Sequence, residues 1–372
     1  MGNTSKRVIE EMLDMAGLRL NGPNDWDPQV NHPDFYPMVV QGGSMALGDS
    51  YVAGLWDCES LDGFFSRILK ARLDKKVKKT PRTLWAAAKA ALSTRVGKSR
   101  AFEIGKRHYD LGNDLFEAML DPWMNYSCAF WREADDLTLA QQAKMDLIAR
   151  KLKLEPGLHV LDIGCGWGGF DAYISEKYGV TVTGVTVSER QKKFADNAYK
   201  GTPARVELRD YRDLEGAWDR IVSIGMFEHV GVSHYRTFME QAHRLLRPDG
   251  LMLLHTIGAN ASRTHCDPWI EKYIFPNSML PSARQITTAA EGMFMVEDWH
   301  NLGPDYDPTL MSWRQNFTEA WPDLKTRYGP DFFRMWTYYL MASAGSFRAR
   351  RNQLWQVVFS PVEYEGQYRS VR

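Results

Sequence analysis

One stretch, Leu161-Asp162-Ile163-Gly164-Cys165-Gly166-Trp167-Gly168-Gly169, constrains this chain more than any other. An apolar run ends in closely spaced glycines and passes straight into a helical pattern from Phe170. Glycines at such a junction permit a tight turn and let the backbone approach a ligand closely. The helix that follows aims its free N–H groups at any negative group held there. A strand, a glycine turn and a helix in this order belong to an open, largely parallel sheet.

The pattern around the loop agrees. Short apolar runs at His159–Ile163, Val180–Val185, Arg205–Leu208, Asp219–Ile224, Leu251–Leu254, Phe294–Trp299 and Trp355–Phe359 read as strands. Helices are expected between them at Phe170–Lys177, Glu189–Tyr199, His234–Leu246 and Ser282–Ala290, with Pro248-Asp249-Gly250 as a helix stop. This is an α/β chain with a Rossmann-like sheet of seven strands, the last two antiparallel. Residues 1–69 read instead as short helical patterns broken at Asn21-Gly22-Pro23-Asn24, Asn31-His32-Pro33 and Gly42-Gly43. The 372 residues thus divide into a small helical amino-terminal domain with a basic linker, 1–100, and a catalytic domain, 101–372.

Composition excludes several classes. Net charge is zero, so no global field favours nucleic acid. No segment approaches a membrane span, and the amino terminus lacks the apolar core of a secretory signal, so a cytoplasmic address is expected. Cys58, Cys128, Cys165 and Cys266 lie far apart without zinc-site spacing, and read as reduced thiols with no metal. Charge is uneven, however. From Lys70 to Arg107 basic residues face only Asp74 and Glu103, and Leu84 to Leu92 is apolar apart from Lys89. Such a segment is either a solvated face or a patch for anionic lipid headgroups, where each nearby cation contributes roughly 1 kcal/mol.

Gly164, Gly166 and Gly169 also satisfy the dinucleotide pattern G-x-G-x-x-G, which alone is weak. Asp162 separates the readings. Dinucleotide sites carry an apolar side chain there, whereas an anion suits the amino and sulfonium end of S-adenosylmethionine. The second strand, moreover, ends in Val185-Thr186-Val187-Ser188, with no acid placed to grip a ribose. Ligands of an open parallel sheet bind outside the carboxyl ends of its strands. Glu228 follows the fourth strand, His255 the fifth, and Tyr306 the sixth, so three titratable groups are expected near the donor methyl.

Tyr126-Ser127-Cys128-Ala129-Phe130-Trp131, the glycine loop, Gly225 to Val230, Leu254 to Gly258 and Asp267 to Pro276 together resemble the bacterial cyclopropane-fatty-acyl-phospholipid synthases and, more distantly, the mycolic acid cyclopropane synthases. The resemblance covers almost the whole chain. It implies an S-adenosylmethionine methyltransferase sheet with lipid-covering insertions, and methylene transfer to the cis double bond of an unsaturated phospholipid acyl chain. The alkene takes the sulfonium methyl, a carbocation forms, a base removes a proton, and the ring closes.

The resemblance further implies that the base is bound bicarbonate, held by Cys128, Glu228, His255, the Ile257 backbone and Tyr306; His255 acting directly is the competing assignment. For the donor it adds Tyr126, Ser127, Thr186, Gln191, Asp210 and Tyr211 to Asp162, Gly164, Gly166 and Gly168. Phe130, Tyr273, Phe275, Tyr338 and Tyr339 are candidates to shield the cation, with core packing as the alternative role. Where many relatives carry cysteine, this chain has Ser343. Peripheral contact with the inner face of the membrane is expected, and a homodimer is compatible with it. The alternatives are a C-methyltransferase that stops before ring closure and a non-catalytic lipid-surface module.

Overall fold

The computed structural model describes residues 2–72 and 111–372. Most of the basic stretch, the segment Leu84 to Leu92 and the expected boundary at residue 100 lie outside them. The described residues form two compact units that are not sequential. Among the described residues, no helix is long and apolar enough to cross a membrane.

One unit comprises residues 111–265, 277–305 and 353–372. Its sheet has strands β1 (His159–Ile163), β2 (Thr181–Thr186), β3 (Ala204–Leu208), β4 (Trp218–Ile224), β5 (Leu246–Ala259), β6 (Phe294–Asn301) and β7 (Asn352–Pro361). They lie in the order β3-β2-β1-β4-β5-β7-β6. The pairs from β3 to β5 are parallel, and β6 runs antiparallel to β7. The chain leaves β1 toward one edge, then returns to β4 on the other side, and this reversal opens a crevice beside β1.

Both faces of the sheet are buried, as parallel sheets require. Leu161, Ile163, Met252 and Leu254 join Phe227, Phe238 and Ile286 on one face. Val160, Leu251 and Leu253 join Ile148, Phe170 and Ile174 on the other. This alternation is the two-residue period of a strand. Helix starts follow from side-chain caps. Ser188 accepts from Gln191 N, and Ser282 forms a capping box with Gln285.

Strand β5 corrects the expected boundaries. Its preceding helix ends at Leu245, but the strand begins at once and absorbs Pro248-Asp249-Gly250. Trp218 pairs with Leu246 and Arg220 with Leu251, so the extra residues form a bulge rather than a break.

The second unit comprises residues 2–72, 266–276 and 306–352. Its helices include Phe35–Val52, Leu61–Lys70, Pro268–Tyr273, Tyr306–Tyr328 and Pro330–Arg348. Trp56, Trp269, Trp313 and Trp336 are wholly buried there, with Trp269 against Tyr338 at 4.5 Å between ring centres. Arg348 ties the unit together, reaching Asp307 at 2.7 and 2.8 Å and also Asp62.

Candidate active site

A cavity opens at the carboxyl ends of β1, β2 and β4. Its wall is built from Trp123 to Ser127, Asp162 to Trp167 with Gly169 and Phe170, Val185 to Ser188 with Gln191, Arg209 to Arg212, and Ile224 to Met226 with His229, Val230 and His234. Of the expected donor residues, Tyr126, Ser127, Asp162, Gly164, Gly166, Thr186, Gln191, Asp210 and Tyr211 all border it. Gly168 has a different place. With φ of 81° it caps the helix Gly169–Tyr178 and faces Val206 and Ala195.

On this wall Gln191 Nε2 is buried without a hydrogen-bond partner, and the buried Asp162 carboxyl lies against the Asp171 carboxyl. Gln191 is already oriented, since its Oε1 accepts from Thr186 Oγ1 at 2.6 Å. Its amide N–H groups are left to meet a ligand hydroxyl, while Asp162 can meet a cation. Asp210 is fixed by Arg212, at 2.8 and 2.5 Å. Buried polar groups left in this way are costly without a ligand, so the wall suits a polar, partly cationic molecule.

Lys144 escaped the sequence reading. Its ammonium is wholly buried and donates to Asn125 Oδ1 at 2.8 Å and Ser127 Oγ at 2.9 Å. Asp121 holds the same turn from the other side, accepting from Trp123 N at 3.0 Å and Asn125 N at 2.8 Å. Burial pushes Lys144 down to about 8, against the pull of Asp121. The turn that carries Tyr126 is therefore anchored on both flanks. A signal existed in the sequence: Lys144 and Lys151 are seven residues apart on the inward face of the helix Leu137–Lys151, alongside Leu147 and Ile148.

Beyond β4 the turn Phe227–His229 carries Glu228 between the cavity residues Met226 and His229. Glu228 Oε1 accepts the backbone N–H of Ile257 at 2.6 Å, and its Oε2 is buried without a partner. Burial raises this carboxyl to about 7 even though the Ile257 N–H opposes the rise. His255 lies inside β5, opposite Ile224, rather than at the strand's end. Its Nδ1 is 3.3 Å from Gln356 Nε2, and its Nε2 has no partner. Burial holds the imidazole well below its usual value, so it is neutral.

Cys128 is buried, with Sγ 3.2 Å from Ala129 O and 4.0 Å from Leu302 O. Tyr306 belongs to the helical unit, where it starts a helix and packs on Phe347 at 4.5 Å. Of the aromatic candidates, Phe130 meets His300 edge-on at 6.2 Å in the sheet unit. Tyr338 is buried against Tyr51, Phe65 and Trp269, and Phe275 meets Tyr339 at 5.7 Å. Tyr273 is more than one-third exposed. His229, unread in the sequence, borders the cavity, and burial pushes its ring down to about 4.

Residues 97–357 match the family model described as mycolic acid cyclopropane synthetase. A cyclopropane-fatty-acyl-phospholipid synthase from Escherichia coli is 51% identical, over 95% of this chain and 93% of its own. Among solved structures, the cyclopropane synthase MmaA2 from Mycobacterium tuberculosis aligns with TM-score 0.65 and 33% identity, covering 69% of this chain and 97% of that one. The mycolic acid cyclopropane synthase CmaA1, complexed with SAH and CTAB, aligns with TM-score 0.64 and 35% identity over the same shares.

Proposed function

The chain belongs to the mycolic acid cyclopropane synthetase family, whose members use S-adenosylmethionine, and from that premise we propose that it adds a methylene to the cis double bond of an unsaturated phospholipid acyl chain. The observation that carries this reading is the cavity at the carboxyl ends of the strands, with the buried Glu228 between its residues Met226 and His229 and the buried His255 in register with its residue Ile224. S-adenosylmethionine supplies an electrophilic methyl when bound. The alkene bonds to that methyl as the sulfur–carbon bond breaks, releasing S-adenosylhomocysteine. One proton then leaves the new methyl and the ring closes, for a net gain of CH2.

Within the cavity, Gln191 and Thr186 suit the ribose hydroxyls, Asp162 the ammonium, and Asp210 with Tyr211 the base end. Tyr126 and Ser127 form the wall that Lys144 anchors. A buried site of this kind keeps water from the carbocation, which would otherwise be trapped as an alcohol.

The departing proton needs a base, with His255 acting directly as the competing assignment. Glu228 Oε2 and His255 Nε2 are both buried polar atoms without partners. In this proposal the imidazole carries its hydrogen on Nε2, and that N–H and the protonated Glu228 both donate to a small oxyanion such as bicarbonate, which when bound would supply a base. Glu228, His255 and Cys128 hold it, and the Ile257 N–H acts through the Glu228 carboxyl it already engages. The reading extends to a peripheral, cytoplasmic-face association with the bilayer through the basic sequence from Lys70 to Arg107, and to a homodimer.

The test is incubation with S-adenosylmethionine and vesicles of unsaturated phospholipid, followed by mass spectrometry and proton NMR of the acyl chains, the latter reading vinyl against cyclopropyl hydrogens. Gain of one CH2 with loss of the double bond is expected. A methylated chain that stays unsaturated would replace ring formation with simple C-methylation.

A further inference from the structure

Asp171 is wholly buried in the first turn of the helix Gly169–Tyr178, and the chemistry above gives it no task. An acid at this helical position ordinarily caps free N–H groups. Asp171 does not: neither of its oxygens has a hydrogen-bond donor. Its side chain instead meets Asp162, the acid on the cavity wall, within hydrogen-bonding range. The sheet is shaped for this meeting. Gly184 of β2 stands in register beside Asp162 of β1. A Cβ on Gly184 would lie 2.0 Å from Asp171 Oδ2, so the missing side chain leaves the space that the second carboxyl fills.

We infer that Asp171 is a positioning residue for the methyl donor: it keeps its proton, hydrogen-bonds to Asp162, and so presents Asp162 to the cavity as an oriented carboxylate for the donor's cationic end. Two buried carboxyls this close cannot both ionise. The environment decides which one does. Lys144, on the helix Leu137–Lys151, faces Asp162 and favours its anion. Asp171 lacks such a cation; its neighbours are Asp162, the Cys165 thiol and the Tyr199 phenol, and burial keeps both of those neutral. Asp162 is raised to about 7 by burial, with the Asp171 hydrogen bond and Lys144 opposing the rise, while Asp171 lies well above the usual carboxylate range.

The inference rests on the donor-cavity reading, and one experiment separates the two. S-adenosylhomocysteine binding is measured by calorimetry from about pH 6 to about pH 9, a range that brackets the Asp162 titration. The wild-type protein is compared with Asp171→Asn, which keeps an N–H donor, and Asp171→Leu, which keeps only the volume. Wild-type affinity is expected to fall as the pH drops through the neutral region. Asp171→Asn should retain that affinity and profile. Asp171→Leu should bind about tenfold more weakly at neutral pH, with its profile moved to higher pH, because a donor to the carboxylate is lost.

A leucine variant with wild-type affinity and profile, or an asparagine variant as impaired as leucine, would overturn the inference. No binding by the wild-type protein would overturn the cavity reading instead. Should the leucine variant fail to fold, infrared difference spectra of wild type against Asp171→Asn at about pH 8 decide the matter. A protonated-carboxyl band lost in the asparagine variant supports Asp171 as the proton holder, and a band that persists overturns it.

Discussion

Glu228 Oε1 takes the backbone N–H of Ile257 at 2.6 Å, tying the turn after β4 to the outer half of β5. This bond fixes the carboxyl and leaves Oε2 as the oxygen with something still to do. Glu228→Gln keeps an acceptor for Ile257 but cannot carry the acid's proton. Turnover is expected to fall by about a hundredfold or more, with S-adenosylhomocysteine affinity unchanged. His255→Ala should behave alike. Steady-state kinetics set beside calorimetry check both, and lost donor binding in either would move these residues to the donor's side of the methyl.

The same acid gives the protein a pH signature. Its folded value is raised from 4.5 to about 7 by burial, so the folded state holds a proton that the unfolded chain has released. That contribution is fully present below 4.5 and is lost as the pH rises through 7, a change of about 3 kcal/mol. Glu228→Gln lacks the titration. Urea midpoints of wild type relative to this variant should therefore decline between acid and mildly alkaline pH. Parallel curves would mean that Glu228 is not held in its acid form.

Much of this was legible in the sequence. The β1 run, the glycine turn and the helix from Ser282 announce themselves because local chemistry alone dictates them. The full length of β5 was hidden, since Pro248 and Gly250 look like a stop until a neighbouring strand is seen to tolerate the bulge. The helices Tyr306–Tyr328 and Pro330–Arg348 were also missed: Pro308, Pro322 and Pro330 punctuate them, and although Pro308 and Pro330 sit in first turns, Pro322 lies inside the helix. Lys144 was unreadable for another reason. Lysine signals surface, and its buried partners Asn125 and Ser127 are set by the fold rather than by sequence neighbours.

Lys144→Met isolates that anchor. Methionine keeps the volume but leaves Asn125 Oδ1 and Ser127 Oγ without their shared buried donor, so global stability near neutral pH should fall by about 1–3 kcal/mol and donor affinity should drop about tenfold. Wild-type stability relative to the variant should rise with pH from about 8 toward 10.5, because the folded state gives up the Lys144 proton first. Unchanged affinity would make the lysine a mere space filler.

In the helical unit, Gly345 faces the helix Leu61–Lys70, where an added Cβ would lie 2.6 Å from Asp62 O and 2.9 Å from Ser66 N. Alanine gains about 1 kcal/mol in helix propensity. Overpacking against backbone atoms costs about 2 kcal/mol or more, and it wins because backbone cannot step aside. Gly345→Ala should lower the urea midpoint; a rise would show that the two helices can separate at little cost.

Association with anionic vesicles is expected at low ionic strength and should weaken strongly as salt is added. Sedimentation with vesicles at two salt concentrations reads this directly. Salt-insensitive binding would shift the explanation from the cations between Lys70 and Arg107 to apolar insertion.

Gly184 and Asp171 share one parcel of space, so neither position can drift alone. A side chain at 184 would also lie 2.8 Å from the Cβ and Sγ of Cys165, so it demands smaller residues at 165 and 171 together. Across related sequences an acid at 171 should therefore occur only with glycine at 184. The pair becomes a heritable marker of which members place a second carboxyl beneath the donor loop.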